Sequence, residues 1–551
     1  MTGPQKKKPA ARKPGDAPAV SEGGSGSTVA ATPLQQRFSP RHLVWGAAAL
    51  FFVFRLWLAA VMPITGDEAY FIYWGAVPDW GFYDHPPMVG WWLAPLLRLS
   101  WAEWVVRLPA LLLPFALAAL VGWLVRRAPM EFAAERGWLA ALLVLFLPTS
   151  VWNVFITTDT PLIFFSLLAV AAYVLALERP AGSKVWWLLH ALAGLGLGLA
   201  FLSKYFAVLL GVAFLVHTAV ARRDEGWKRW LGFLLLTAVA LLGPALNIWW
   251  NCSHCWANIM FNLYNRHESS GWGKSWANPF LFIVTLAYVA TPFIFAFLWK
   301  YRHEVKAAVT QPGLARAAFW LASVPLGLFA VLSLVKEVGL HWLLSFIPLL
   351  CLLAAVALPV AALRRLAVWM GGLALLHVAA IVVVSRLPLS TWEDSHLYDG
   401  IVLTFRSQEL LERLEPYAND YVFASDGYSN AVTLGYNARR YFFVFGVGSS
   451  HARHDDIMTD VRELDGKNIL VLRKTEPKRE EYAPYFREVE ILPFEVEGVV
   501  FYQVLGRGFD YVTYRDRVLR EIKQRYYKIP AFLPMTGCYF CERYFPGEEC
   551  R

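Results

Sequence analysis

Apolar runs of about twenty residues recur from residue 43 to residue 384, and a run of that length is what an α-helix needs to cross the hydrocarbon core of a bilayer. They fall at about 43–63, 102–125, 137–156, 160–177, 186–203, 205–221, 230–250, 280–299, 317–335, 342–362 and 366–384, which predicts about eleven transmembrane helices. Two predicted turns are very short, at Thr157-Thr158-Asp159 and at Lys204; a re-entrant pair is the alternative there. Only 17% of the 551 residues are charged, against about a quarter in water-soluble domains, so lipid is the main solvent of this chain.

The net charge of +9 could suggest a nucleic-acid binder, but the Lys and Arg sit in short clusters between apolar runs. Such clusters set membrane orientation. With the N-terminus inside, the predicted inner loops hold Arg126-Arg127, Arg179 with Lys184, Arg222-Arg223 with Lys228-Arg229, Lys300 with Arg302 and Lys306, and Arg364-Arg365. Every inner loop has its basic cluster, so the expected topology has an odd number of spans and a C-terminal region outside. Residues 1–42, rich in Lys, Pro, Ala, Gly and Ser, read as a disordered cytoplasmic tail. No cleavable signal pattern stands out in them, and the first apolar helix would direct insertion.

From about residue 385 the charge rises and the apolar runs shorten, with strand-like stretches at Tyr421–Ala424, Asn468–Leu472 and Val499–Leu505. Residues 385–551 are expected to form a mixed α/β domain outside the membrane.

Polar residues collect on the predicted outer side. The first outer loop carries Asp67-Glu68 and then Tyr83-Asp84-His85-Pro86-Pro87. Asp159 and Lys204 occupy the two short turns; a later loop carries Asn251, His254, Asn262, Arg266, His267 and Glu268, and the last carries Lys336 and His341. Charges at a membrane boundary are costly and mark functional sites. Alternating carboxylates and cations suit a site that holds an anion beside a general base. Plainer readings stand next to this one. Asp67-Glu68 could cap a short interfacial helix, Asp159 could cap a helix with Pro161 in its first turn, and Lys204 could reach to the interface as a helix-end lysine.

Six cysteines divide in the same way. Cys351 falls inside a predicted span and reads as inert core. Cys252 and Cys255 form one outer Cys-x-x-Cys; Cys538, Cys541 and Cys550 form a second group. Disulfides are expected on an oxidising face, with one of the five outer thiols left over; zinc on Cys538, Cys541 and Cys550 is the alternative.

The ordered motifs Gly66-Asp67-Glu68-Ala69-Tyr70, Tyr83-Asp84-His85-Pro86-Pro87, Asp159-Thr160-Pro161-Leu162 and Leu202-Ser203-Lys204-Tyr205 resemble the bacterial glycosyltransferase family 39 proteins. These are relatives of protein O-mannosyltransferases and of the lipid A aminoarabinose transferase. The Asn251…His254-x-Trp256…Asn262…Arg266 stretch fits the same family, and the resemblance spans roughly 43–350. It implies the GT-C architecture and a polyprenyl-phosphate-linked sugar donor, used at the outer face of the plasma membrane with a glycolipid or glycan acceptor. It maps the catalytic carboxylates onto Asp67 and Asp159, and the donor-phosphate cations onto Lys204 and Arg266.

On chemical grounds Asp67 is expected to act as base with Glu68 beside it, or Asp159 in its place. His85 would assist Lys204 and Arg266 at the donor phosphate. Asp84, Tyr83, His254, Glu268, Lys336 and His341 would contact sugar or acceptor. The aminoarabinose enzymes carry an acid–Lys pair where this chain has Asp84-His85, which argues for a different donor sugar. No P-loop or Gly-rich nucleotide turn is visible, and a prenyl-linked donor carries its own activation. No cofactor is expected; clustered carboxylates could bind Mg²⁺ or Mn²⁺, while the neighbouring cations offer a metal-free account. Transfer to protein Ser/Thr is the alternative acceptor chemistry. A secondary transporter would instead place its ionisable groups near mid-span.

Overall fold

A computed structural model describes residues 2–3, 39–221, 226–265, 276–548 and 550. The chain divides at Ser39, and among the described residues every helix and strand lies in the unit from Pro40 onward. The first helix, α1 (Pro40–Val61), starts on a proline, whose missing N–H costs nothing at a helix start. Residues 40–42 therefore belong to α1 rather than to the expected tail, most of which lies outside the described residues.

Among the described residues, seven helices are long and apolar enough to cross a membrane: Pro40–Val61, Leu108–Arg127, Asp159–Leu177, Lys184–Phe201, Lys228–Ser253, Leu314–Ser333 and Val360–Val384. An eighth would be the pair Ala277–Ala290 and Pro292–Lys300, bent by 87° at Thr291-Pro292. Three expected spans are shorter helices. The run at 137–156 ends as a helix at Leu145, before Pro148; that at 205–221 is Ala207–Val216 followed by a π turn; that at 342–362 is Ile347–Ala357, halted before Pro359. At the first and third of these stops proline is the cause, since it removes a backbone donor and crowds the preceding turn. The Asp159–Leu177 helix is central, with 67% of its apolar window buried, whereas Val360–Val384 has 17% and runs along the outside.

One end of the bundle gathers the basic loop residues. Arg364 pairs with Glu135 at 2.5 Å, Arg365 donates to the Tyr301 hydroxyl at 2.9 Å, and Arg136 donates to the Ala355 and Leu358 carbonyls. Within α1, the fully buried Arg55 donates to the carbonyls of Ala110, Leu111, Ser150 and Asn153. Carbonyl partners satisfy a cation at membrane depth, and here they fasten α1 to two neighbours.

At the other end, two helices occupy a region expected as loop: α2 (Gly66–Ala76) and α3 (Met88–Leu99). Beyond Val384 a five-stranded mixed sheet runs in the order β2-β1-β3-β5-β4. Its strands are β1 (Tyr421–Ser425), β2 (Phe443–Val444), β3 (Asn468–Arg473), β4 (Phe486–Val496) and β5 (Val499–Phe509). The three expected strands are β1, β3 and β5. Unexpected β4 is an edge strand bearing glutamates and Pro493, residues that protect edges and dilute a strand signal. It turns into β5 through Glu497-Gly498, both at positive φ as a tight hairpin requires.

The sheet region docks through the Tyr428–Ala438 helix, which lies against α2 so closely that a Cβ on Gly66 would collide with the Ser429 side chain.

Candidate active site

Asp67 and Glu68 open α2, and the fold gives them opposite roles. Thr65 caps the helix and Glu68 completes a capping box with it, a pattern legible as Thr-x-x-Glu. Glu68 is fully buried and meets Arg107 through two bonds, Nε to Oε1 at 2.8 Å and Nη2 to Oε2 at 2.6 Å. It also accepts from the Ile156 amide at 3.1 Å. Arg107 spends its remaining donors on the carbonyls of Ala59, Met62 and Pro63. Glu68, placed among the catalytic residues by sequence, is thus a fully used joint between α1, α2 and the Leu108–Arg127 helix.

Asp67, one residue away, is exposed, and it accepts a hydrogen bond from the Tyr428 hydroxyl at 3.3 Å. Protein surrounds most of it even so, as on the floor of a cleft. That desolvation pushes its carboxyl above the ordinary carboxylate range. Tyr428 pulls it back, Glu68 adds to the rise, and the Lys204 charge opposes it. A carboxylate open to solvent, close to a cation and tuned upward suits a general base.

Asp159 begins the Asp159–Leu177 helix, and Lys204 follows the Lys184–Phe201 helix. They meet in a two-pronged contact, Nζ to Oδ2 at 2.8 Å and to Oδ1 at 3.0 Å, with both side chains nearly buried. Thr158 rather than Asp159 stands at the cap position, so neither plain reading describes this pair.

The 82–88 loop is held from two sides. Asn258 donates to the Phe82 carbonyl at 2.9 Å, Asn262 to that of Asp84 at 3.0 Å, and the Met88 amide to that of Leu202 at 3.0 Å, two residues before Lys204. The Asp84 side chain accepts from Tyr70 of α2 at 3.0 Å and is buried. His85 is half-buried, its ring 6.3 Å from Phe71 and 6.1 Å from Trp74.

Other expected contacts fall elsewhere. Tyr83, expected at the sugar, is wholly buried with its ring 5.8 Å from Phe261, because the chain bends at 83–85, where the Phe82 amide donates to the His85 carbonyl at 3.1 Å. His254 stacks on Trp250 at 4.2 Å and faces Asp79 at 3.9 Å, in a group with Asp79 that the sequence did not suggest. Lys336 and His341 lie between the Leu314–Ser333 and Ile347–Ala357 helices, half-buried and exposed. Arg266, His267 and Glu268 lie outside the described residues.

One disulfide crosses the two groups, Cys255 with Cys538, a second closes within the later group, Cys541 with Cys550, and Cys252 is left free. Cys538, Cys541 and Cys550 are the one group of three or more potential ligands close enough to share a metal among the described residues, and their sulfurs are in those disulfides. Cys255 and Trp256 are both left-handed, at φ 56° and 52°. The disulfide and a bond from Trp256 Nε1 to the Pro534 carbonyl at 2.8 Å hold them so. This turn aims the Ala257–Leu263 helix, with its two asparagines, at the 82–88 loop.

Such an arrangement, a bundle with a sheet-bearing region following it, is the ArnT-like GT-C fold. The crystal structure of ArnT from Cupriavidus metallidurans in the apo state superposes with a TM-score of 0.58 at 16% identity, covering 85% of this chain and 98% of that one. The same enzyme bound to undecaprenyl phosphate gives 0.57 at 17% identity, covering 84% and 98%. Residues 84–250, which include Asp159 and Lys204, match the family described as dolichyl-phosphate-mannose-protein mannosyltransferase. Among curated proteins, the lipid A galacturonosyltransferase RgtD of Rhizobium johnstonii is 25% identical over 491 residues, 85% of this chain and 92% of that one. The resemblance read from the motifs therefore holds for the fold and for the matched domain.

Proposed function

We propose that this protein is an inverting glycosyltransferase that moves a sugar from a polyprenyl-phosphate donor to a lipid A-type glycolipid at the outer face of the bacterial inner membrane. The observation that carries it is the pairing of an open, desolvated Asp67 with the Asp159–Lys204 couple. Asp67 takes the proton of the acceptor hydroxyl as its oxygen bonds to the anomeric carbon. The bond from that carbon to the phosphate oxygen breaks on the opposite side, so configuration inverts. The departing phosphate is already acidic and needs charge rather than a proton. Lys204 turns from Asp159 to meet it, and Asp159 then faces the sugar hydroxyls.

An apolar groove lined by Leu113, Leu117, Ile163 and Ile347 also reaches Asp159 and Thr160. It can take the prenyl chain with its phosphate toward Lys204, in preference to the tryptophan surfaces at Trp91-Trp92 and Trp249-Trp250. There Trp91 and Trp250 are already committed to Asp79, donating to its carbonyl and its carboxylate. Lys204 supplies the charge a divalent ion would otherwise bring, so turnover is expected to survive chelation by EDTA. The basic end of the bundle faces the cytoplasm in this reading, and residues 385–551 lie on the outer side with the site. The relative RgtD makes galacturonic acid the first donor sugar to try.

The test is release of polyprenyl phosphate by the purified protein from prenyl-linked sugars, with lipid A as acceptor. Loss of transfer in Asp67→Asn and Lys204→Gln, with both still folded, supports the reading. Wild-type protein inert across the donor panel, or both variants as active as wild type, would refute it.

A further inference from the structure

One cleft plays no part in donor chemistry. It encloses about 450 Å³ and is lined by Tyr73, Trp101, Gly435, Arg439, Arg440 and Tyr441. Tyr73 lies six residues beyond Asp67 on α2, roughly 9 Å along the helix at 1.5 Å per residue. The cleft is therefore about one or two sugar rings from the base.

Its chemistry is aromatic and cationic, with no carboxylate among those six residues. Arg439 is the unusual residue. It closes the Tyr428–Ala438 helix in the left-handed region, φ 52° and ψ 32°, where glycine is the strain-free choice. An arginine held against its backbone preference points to a use for the side chain. Its guanidinium lies 4.2 Å from the Tyr436 ring and 5.1 Å from that of Trp101, and Nη2 donates to the Trp101 carbonyl at 3.2 Å. Arg440 is held by the Ala418 and Tyr421 carbonyls. On either side of Trp101, Leu99 is 78% exposed and Trp104 44%, an apolar margin beside the cleft.

We propose that this cleft is the acceptor subsite, built for the phosphorylated saccharide headgroup of a glycolipid. Arg439 pairs with a phosphate, Tyr73 and Trp101 offer ring faces to the sugar, and the Leu99–Trp104 margin meets the acyl chains. The inference rests on the glycosyltransferase reading and adds to it what selects the acceptor. The plainer role for Arg439 is a latch between the sheet region and α3.

Arg439→Gly separates the two, because it relieves the backbone while removing the cation. KM for lipid A carrying both phosphates and for the dephosphorylated lipid is measured with one donor in the full-length protein. Wild type is expected to favour the phosphorylated acceptor, and Arg439→Gly to raise its KM about tenfold, collapsing the preference, while Arg439→Lys keeps part of it. An unchanged preference in Arg439→Gly overturns the proposal, as does an equal rise for both acceptors. Donor-free binding of bisphosphorylated lipid A decides the subsite even if no donor is consumed: about tenfold weaker binding by Arg439→Gly supports it, and equal binding overturns it.

Discussion

Two buried acid–base pairs stand at the same end of this bundle, and they do different things. Glu68–Arg107 is wholly enclosed, and the arginine's other donors end on backbone carbonyls. Asp159–Lys204 is held by the lysine's two contacts to one carboxylate and borders an apolar groove. The first cannot exchange partners without breaking the joint between three helices; the second needs only a rotation of one lysine. Burial alone does not separate structural from functional charges. The count of satisfied donors and the presence of adjoining space do.

The comparison breaks most sharply at the neighbour of each pair. Asp67→Asn is expected to lower kcat by about 10²- to 10⁴-fold with thermal stability unchanged, measured on the detergent-solubilised protein. Arg107→Met should act in the opposite sense: stability falls by about 3–5 kcal/mol, because Glu68 is left charged and alone. Adding Glu68→Gln to it should restore part of that loss. If Arg107→Met instead melted like wild type and lost only turnover, the structural role of this pair would be wrong. Lys204→Gln should reduce kcat by about 10²- to 10³-fold and weaken polyprenyl phosphate binding, with a small change in melting temperature.

The smallest expected effect sharpens the account of Asp67. Tyr428→Phe removes the hydrogen bond that pulls the Asp67 carboxyl down, so that carboxyl titrates higher still. Activity rises with pH as the base ionises, and the acid limb of kcat/KM should therefore move to higher pH in the variant. Loss at neutral pH should stay below about tenfold, since one hydrogen bond is removed. A limb that stays in place, or moves to lower pH, would separate Tyr428 from the base.

Much of this was legible in the residues. Asp159 and Lys204 stood out as charges in two short turns, and they meet. Asp67-Glu68 carried its own plain reading as a helix cap, and Glu68 does complete a capping box, with Thr65. Arg107 gave no such signal: it lies within an apolar run, 39 residues from its partner. Tyr428 lies 361 residues from Asp67, and local pattern does not encode a contact over that distance. Tyr83 misled because it adjoins Asp84 in a motif, although the chain bends at 83–85. Helix α3 escaped notice because it is too short to read as a span, whereas α2 is the short helix that the plain reading of Asp67-Glu68 allowed.

The Cys255–Cys538 bond spans 283 residues. Beside it, the Thr536 amide donates to the Cys252 carbonyl at 2.8 Å. The turn so fixed aims the asparagines that hold the 82–88 loop, an early part of the chain. In the orientation proposed above, this wall of the candidate site waits for residues near 538 to be made, exported and oxidised. On that reading the 82–88 loop lacks this support earlier in biosynthesis, and maturation would be timed by export and oxidation as well as by membrane insertion.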